Sequence, residues 1–180
     1  VPLKAFIVFL ASVCLPAQIL APITGGRLAA GSSTPSLVAS VSGGTPRNNA
    51  DLLVGAKVTI GGSNVVVTNI GRWCISGNSA THALKILAGS NAAELATVNV
   101  NMTGCTPGTF KYVALSYTMN ASTAYYLASE ETNGGDQWLD DDSTVTLTAA
   151  ATLNSSEYGA VLSMTTHTAG KFYVPVSVQY

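Results

Sequence analysis

At 180 residues the chain suits one domain with an extension, since domains usually run to roughly 100–200 residues. Only 9% of it is charged, against about 25% in an average globular protein, so the surface must be neutral-polar. Eight basic and nine acidic residues leave a formal net charge of −1, which supplies no basic field for phosphates and argues against nucleic acids and anionic membranes as partners.

Residues 1–23, VPLKAFIVFLASVCLPAQILAPI, set Lys4 ahead of an apolar run from Ala5 to Leu15, the layout of a secretion signal. Export to the extracellular space or cell surface is the inference. The run falls short of the about 20 apolar residues of a membrane span and Pro16 interrupts it, so no stable span is expected. The cleavage pattern is poor: Leu15 lies ahead of Ala17, Pro22 follows Ala21, and Val13 precedes Cys14 where a lipoprotein signal needs a small residue. Two readings stay open, a leader that is removed and a donor segment that is kept. If kept, Phe6, Ile7, Val8, Phe9 and Leu10 are β-prone and too apolar for water, and would bury themselves in a neighbouring subunit or a membrane.

Residues 24–50 are rich in Gly, Ser, Thr and Pro without periodicity, which reads as a linker. From there the domain, residues 51–180, consists of short β-branched runs such as HALKIL, LATVNVNM, FKYVALSYTM and STVTLTA, separated by turn residues. Turns recurring every eight to twelve residues or so predict antiparallel strands in a sandwich or barrel. In KVTI, TVNVNM and VPVSVQY residues of one parity are apolar, as strands with one face in a core require. The fold expected is all-β, an antiparallel β-sandwich, jelly-roll-like, of about eight or nine strands. Pro175 in the closing run cannot donate to a ladder, which predicts an edge position or an outward-facing nitrogen. A terminal edge strand is also a place where another chain can pair.

GRWCISGNSATHALKI (Gly71 to Ile86), TAYYLASEETNGGDQWLDDDS (Thr123 to Ser143) and FYVPVSVQY together resemble a bacterial extracellular β-sandwich module of no assigned activity, found in secreted and surface proteins and often appended to larger ones. The likeness runs from about Leu52 to Tyr180. It implies a fold and a location, and no catalytic residues. Here the module follows an apolar leader, which argues against the helper role of an appended domain.

The stretch SEETNGGDQWLDDD, Ser129 to Asp142, concentrates six of the nine acids around two glycines and a tryptophan. Asn133, Gly134 and Gly135 accept positive φ and predict a turn. Were the following residues extended, Asp136, Trp138, Asp140 and Asp142 would share one face and could offer oxygens to Ca²⁺. The spacing is not that of an EF-hand loop, so the expectation is no metal and largely solvated aspartates at 140–142. Asn78, His82, Glu131, Asp136, Gln137 and Trp138 form the better constellation. An aromatic face with amides and carboxylates can hold a glycan, while the bland reading has these groups pin two loops together, as buried polar groups must satisfy one another. The second reading is the expected one.

Catalytic patterns are missing from the sequence. His82 and His167 are its two histidines, and no G-x-S-x-G elbow, H-E-x-x-H or glycine-rich phosphate loop occurs. Glu130 or Glu131 with Asp136 fits a glycosidase pair poorly, since such carboxyls must flank a substrate from opposite sides. A non-enzyme without cofactors is expected. Of the three cysteines, Cys74 and Cys105 would fall within the folded domain and could form a disulfide in an exported chain, two buried thiols being the alternative. Cys14 is left over in the leader. Asn101, Asn120 and Asn154 head sequons that permit N-glycosylation. Two function classes follow: a structural subunit that self-assembles into a filament through its N-terminal segment, and a glycan-binding or adhesive surface module.

Overall fold

The computed structural model describes residues 34–173 and 175–180. Among them it is all-β. The larger sheet has six strands, in the order β12 (Ser163–Ala169), β11 (Ala151–Ala160), β3 (Leu52–Ile60), β8 (Ala124–Glu131), β5 (Thr81–Ala88) and β6 (Glu94–Asn101). The smaller joins β13 (Val176–Gln179), β4 (Val65–Trp73) and β7 (Phe110–Met119). Two short pairs complete the set, β1 (Val38–Ser42) with β10 (Thr144–Leu147) and β2 (Pro46–Arg47) with β9 (Trp138–Leu139), and every pairing is antiparallel.

Alternation decides which side chains enter the core. In β3, Val54, Ala56, Val58 and Ile60 share one parity and join the main buried cluster with Leu84 and Ile86 of β5 and Leu127 of β8. Val65, Val67 and Ile70 of β4 and Val176 and Val178 of β13 belong to the same cluster, so the core lies between the two sheets and the molecule is a β-sandwich. The opposite parity carries a second, smaller cluster of Leu53, Leu87, Tyr126 and Ala128 with Ala92, against which Met164 packs. The β11–β12 hairpin reaches this region, where Leu162 N–H donates to the Ala92 carbonyl at 2.9 Å. A glycine is needed in that hairpin, because a Cβ on Gly159, at φ 146°, would collide with the Ser163 carbonyl.

Thirteen strands among the described residues, against eight or nine expected, reflect length. Eight strands have seven residues or more, and the other five have two to five; of these five, β10 and β13 were legible in STVTLTA and VPVSVQY, while β1, β2 and β9 were not. β1 and β2 lie within the stretch expected to be a linker, so the sandwich takes in residues ahead of 51. The two-residue β2 and β9 have too few positions for alternation to register.

The terminal strand differs from expectation in a way that bears on assembly. β13 ends the order of its sheet, yet its outer edge is occupied. Leu37 N–H donates to Val178 O at 2.8 Å, Tyr180 N–H to Pro35 O at 3.1 Å, and Ser36 bridges Gln179. The edge is covered by the chain's own residues 35–38.

A disulfide joins Cys74, just past β4, to Cys105 in the β6–β7 loop, with Cα atoms 6.0 Å apart and a sequence separation of 31. Cys14 lies outside the described residues. Closing a loop of this length restricts the unfolded chain by about 3–4 kcal/mol in the chain-entropy account. Replacing both cysteines by serine should lower stability by about that amount, measured by denaturant unfolding. Non-reducing peptide mapping should recover the two as one cross-linked species, and free thiols at both positions in oxidised, exported protein would remove the staple.

Candidate functional site

The polar residues singled out in the sequence meet where the β4–β5 loop approaches the β8–β9 loop. Their centre is a residue that the sequence reading passed over. Arg72 has the same inward parity on β4 as Ile70 and, like it, is fully buried. Glu131 follows the parity of Tyr125 and Leu127 on β8 and is buried too. The pair meets as a two-pronged fork, Nε to Oε1 at 3.0 Å and Nη2 to Oε2 at 2.9 Å. Arg72 also donates to the carbonyls of Gln137, at 3.1 Å, and Trp73, at 3.3 Å, so its planar donor set is matched on several sides.

His82 enters from β5 on the parity of Leu84 and Ile86. Its Nε2 lies 3.1 Å from Asp136 Oδ2, and its Nδ1 lies 3.0 Å from the Glu130 carbonyl and 3.3 Å from Glu131 Oε2. Asp136 accepts further bonds from the backbone N–H groups of Ser79, at 2.9 Å, and Ala80, at 2.9 Å. The Asn78 side chain pairs reciprocally with the Gln137 backbone, Nδ2 to O at 2.9 Å and N–H to Oδ1 at 3.1 Å. Gln137 thus acts through its main chain, and the residue is exposed.

Asn78, His82, Glu131 and Trp138 are 7%, 4%, 3% and 4% exposed, so the polar cluster beneath the two loops offers no open sugar platform. Trp138 is placed differently from the rest, its ring packing edge-on against Tyr173 at 5.7 Å and 90°. As for the glycosidase pairing, Glu131 is engaged by Arg72 and Asp136 by the β4–β5 loop.

The aspartates at 140–142 correct the expectation that they are largely solvated. β9 ends at Leu139, so the alternation needed to bring Asp136, Asp140 and Asp142 onto one face stops there. Each instead takes its own partners. Asp140 is buried and binds Arg47 Nε at 2.8 Å. Asp141 accepts from His167 Nδ1 at 2.7 Å and Ser156 Oγ at 3.2 Å. Asp142, the exposed one, still accepts the Thr45 N–H at 2.7 Å and hydroxyl at 2.5 Å. These acids tie the loop to β2, β11 and β12 rather than solvating it. No group of three or more His, Cys, Asp or Glu in metal-holding geometry occurs among the described residues.

Electrostatics follows the partners. Burial pushes the Asp136 carboxyl up, but the Ser79 N–H, the His82 ring and the Ala80 N–H outweigh it and hold the group below its ordinary range. Asp141 is lowered in the same way, burial being outweighed by Thr168, His167 and Ser156. A carboxyl with a depressed native pKa contributes stability that is fully present above its unfolded value, about 3.9, and is lost as pH falls through the native one. Stability should therefore decline on acidification below about pH 4, and Asp136→Asn should flatten that decline. Thermal melts from neutral pH to pH 2 would show it, and identical acid limbs for parent and variant would exclude the contribution.

A second cluster has no counterpart among the residues chosen from sequence. Tyr173 touches Trp138 on one side and His167, at 5.5 Å, on another, and His167 lies 6.2 Å from Tyr158. Burial, then Asp141 and Asp140, push the Tyr173 hydroxyl up to about 12. Trp138, Tyr158 and Tyr173 line a depression of about 170 Å³ together with Arg47, Asn49 and core residues.

Fold and cluster define the class, an all-β antiparallel sandwich with a buried ionic knot beneath two loops. Comparison found no family model, curated protein or solved structure that matches the chain.

Proposed function

We propose that this chain is a non-enzymatic extracellular structural subunit that assembles with copies of itself. The observation that carries this reading is the closure of the polar cluster, in which Arg72, Glu131, His82, Asp136 and Asn78 direct their donors and acceptors at one another and at the local backbone. Such a knot holds loops together and has nothing left to offer a substrate. The low charge supports stacking of subunits with little repulsion. Assembly is assigned to residues 1–23, with Phe6, Ile7, Val8, Phe9 and Leu10 as the docking segment; these lie outside the described residues. Donation from one copy to the next is heterologous, so it propagates into a filament rather than closing. With β13 covered, the other end strands of the two larger sheets among the described residues are β6, β7 and β12, and an added strand would pair with one of these. Deleting residues 1–23 should convert filaments into a soluble folded monomer, read by sedimentation and electron microscopy. Filaments formed by the truncated chain would refute donation by this segment. Intact-mass measurement on extracellular material supplies the companion datum, whether residues 1–23 persist.

A second reading, a glycan-binding or adhesive surface module, is favoured by one observation, the aromatic-lined depression at Trp138, Tyr158 and Tyr173. A glycan array probed with the exported protein tests it.

A further inference from the structure

We propose that the depression framed by Arg47, Asn49, Trp138, Tyr158 and Tyr173 binds a single uncharged sugar ring. This rests on the second reading above and gives it a site other than the loop-pinning cluster, with which it shares only Trp138.

Shape and size come first. The space, about 170 Å³, is well below the roughly 300–1,000 Å³ of pockets that take drug-sized ligands, which limits the occupant to one ring. Three aromatic side chains line it, of which Trp138 and Tyr173 are buried and Tyr158 supplies the open face. Tyr158 pairs with Val54 across β11 and β3 and so has core parity, yet it is 37% exposed at the rim. Tyrosine and tryptophan combine an apolar face with a polar handle, the combination that suits the C–H face and hydroxyl edge of a pyranose.

The polar groups at the site are donors in need of acceptors. The Trp138 Nε1–H is buried and has no hydrogen-bond partner, and a buried donor left unsatisfied is costly enough to require a reason. The Arg47 side chain is about half exposed and is fixed through its Nε by Asp140, which leaves Nη1 and Nη2 as oriented donors. The Asn49 amide adds a donor and an acceptor.

Charge then narrows the class. Arg47, the charged residue in the lining, is bridged by Asp140 at 2.8 Å, and Asp141 is engaged by His167 and Ser156. The bridged pair leaves no unbalanced positive charge to hold a sugar acid or a phosphate, and its guanidinium at the rim opposes an ammonium group that the aromatic walls would otherwise attract. A neutral polyol is the ligand for which neither sign is penalised.

The test uses the full chain and a panel of methyl glycosides of glucose, galactose, mannose, xylose and N-acetylglucosamine, with glucuronic acid and choline as charged probes. Binding is read by ligand-observed NMR and by tryptophan fluorescence, with Trp73→Phe isolating Trp138. A neutral glycoside should bind, and Tyr158→Ala should weaken it by about tenfold while the variant still melts cooperatively above the assay temperature. Asn49→Ala, which leaves the Arg47–Asp140 bridge in place, should weaken it as well. If glycans are retained on an array but neither variant alters their binding, the site is wrong and the glycan-binding reading stands. Binding of glucuronic acid or choline alone overturns the ligand class. If nothing on the array or in the panel is retained, both the site and the reading behind it fall.

Discussion

Arg72→Met should destabilise the protein by about 3–5 kcal/mol, the cost of leaving one member of a buried ion pair without its partner. Both side chains are fully buried and joined by two hydrogen bonds. Among the described residues, removing the guanidinium leaves the Glu131 carboxylate with only the His82 ring, 3.3 Å away. The Gln137 carbonyl loses one donor but keeps Asn78. Replacing both members, Arg72→Met with Glu131→Leu, should recover much of the loss, because two apolar side chains of similar volume avoid the desolvation that the ion pair incurs. His82 would then still have the Glu130 carbonyl and Asp136 as partners. Urea unfolding with an unchanged slope reads both effects as shifts in midpoint. A single variant with the parent midpoint, or a double variant as unstable as the single, would show that the fork is not what holds these loops.

What could be read from the sequence divides along the distance over which each signal acts. The strands β3, β5, β6 and β7 announce themselves because side-chain direction alternates within a run. β2 and β9, of two residues each, exist because Arg47 and Trp138 come opposite one another, a pairing between residues 91 apart by their numbers that no local pattern records. Arg72 is an intermediate case. Its parity with Ile70 was visible, but a charged residue at a core position has a meaning only once Glu131 is placed beside it. The meeting of Asn78 and His82 with Glu131 and Asp136 was legible as chemistry, since amide, imidazole and carboxylate are mutual partners. The aspartates at 140–142 were misread for want of theirs: Arg47, His167 and Thr45 lie far away in the chain. Tyr158 and Tyr173 went unnoticed for the same reason, each being an ordinary strand or loop aromatic until folding sets it beside Trp138.

Trp138→Ala should lower stability by about 3–5 kcal/mol, the range for truncating a buried aromatic. The residue is 4% exposed, belongs to the main core cluster and braces Tyr173 edge-on, so truncation removes apolar contact and leaves a hole between β9 and the segment ahead of β13. Trp138→Phe supplies the contrast. The indole N–H has no protein partner, so phenylalanine forfeits no hydrogen bond within the protein and keeps an aromatic ring against Tyr173. Its melting temperature should stay near that of the parent. If a sugar in the depression accepts from that N–H, Trp138→Phe should weaken binding without weakening the fold. The two substitutions therefore separate brace from ligand contact, and differential scanning calorimetry beside a glycan titration reads both. Should Trp138→Ala melt like the parent while glycan retention disappears, the ring is a binding surface rather than a brace, and the adhesive reading displaces the structural one.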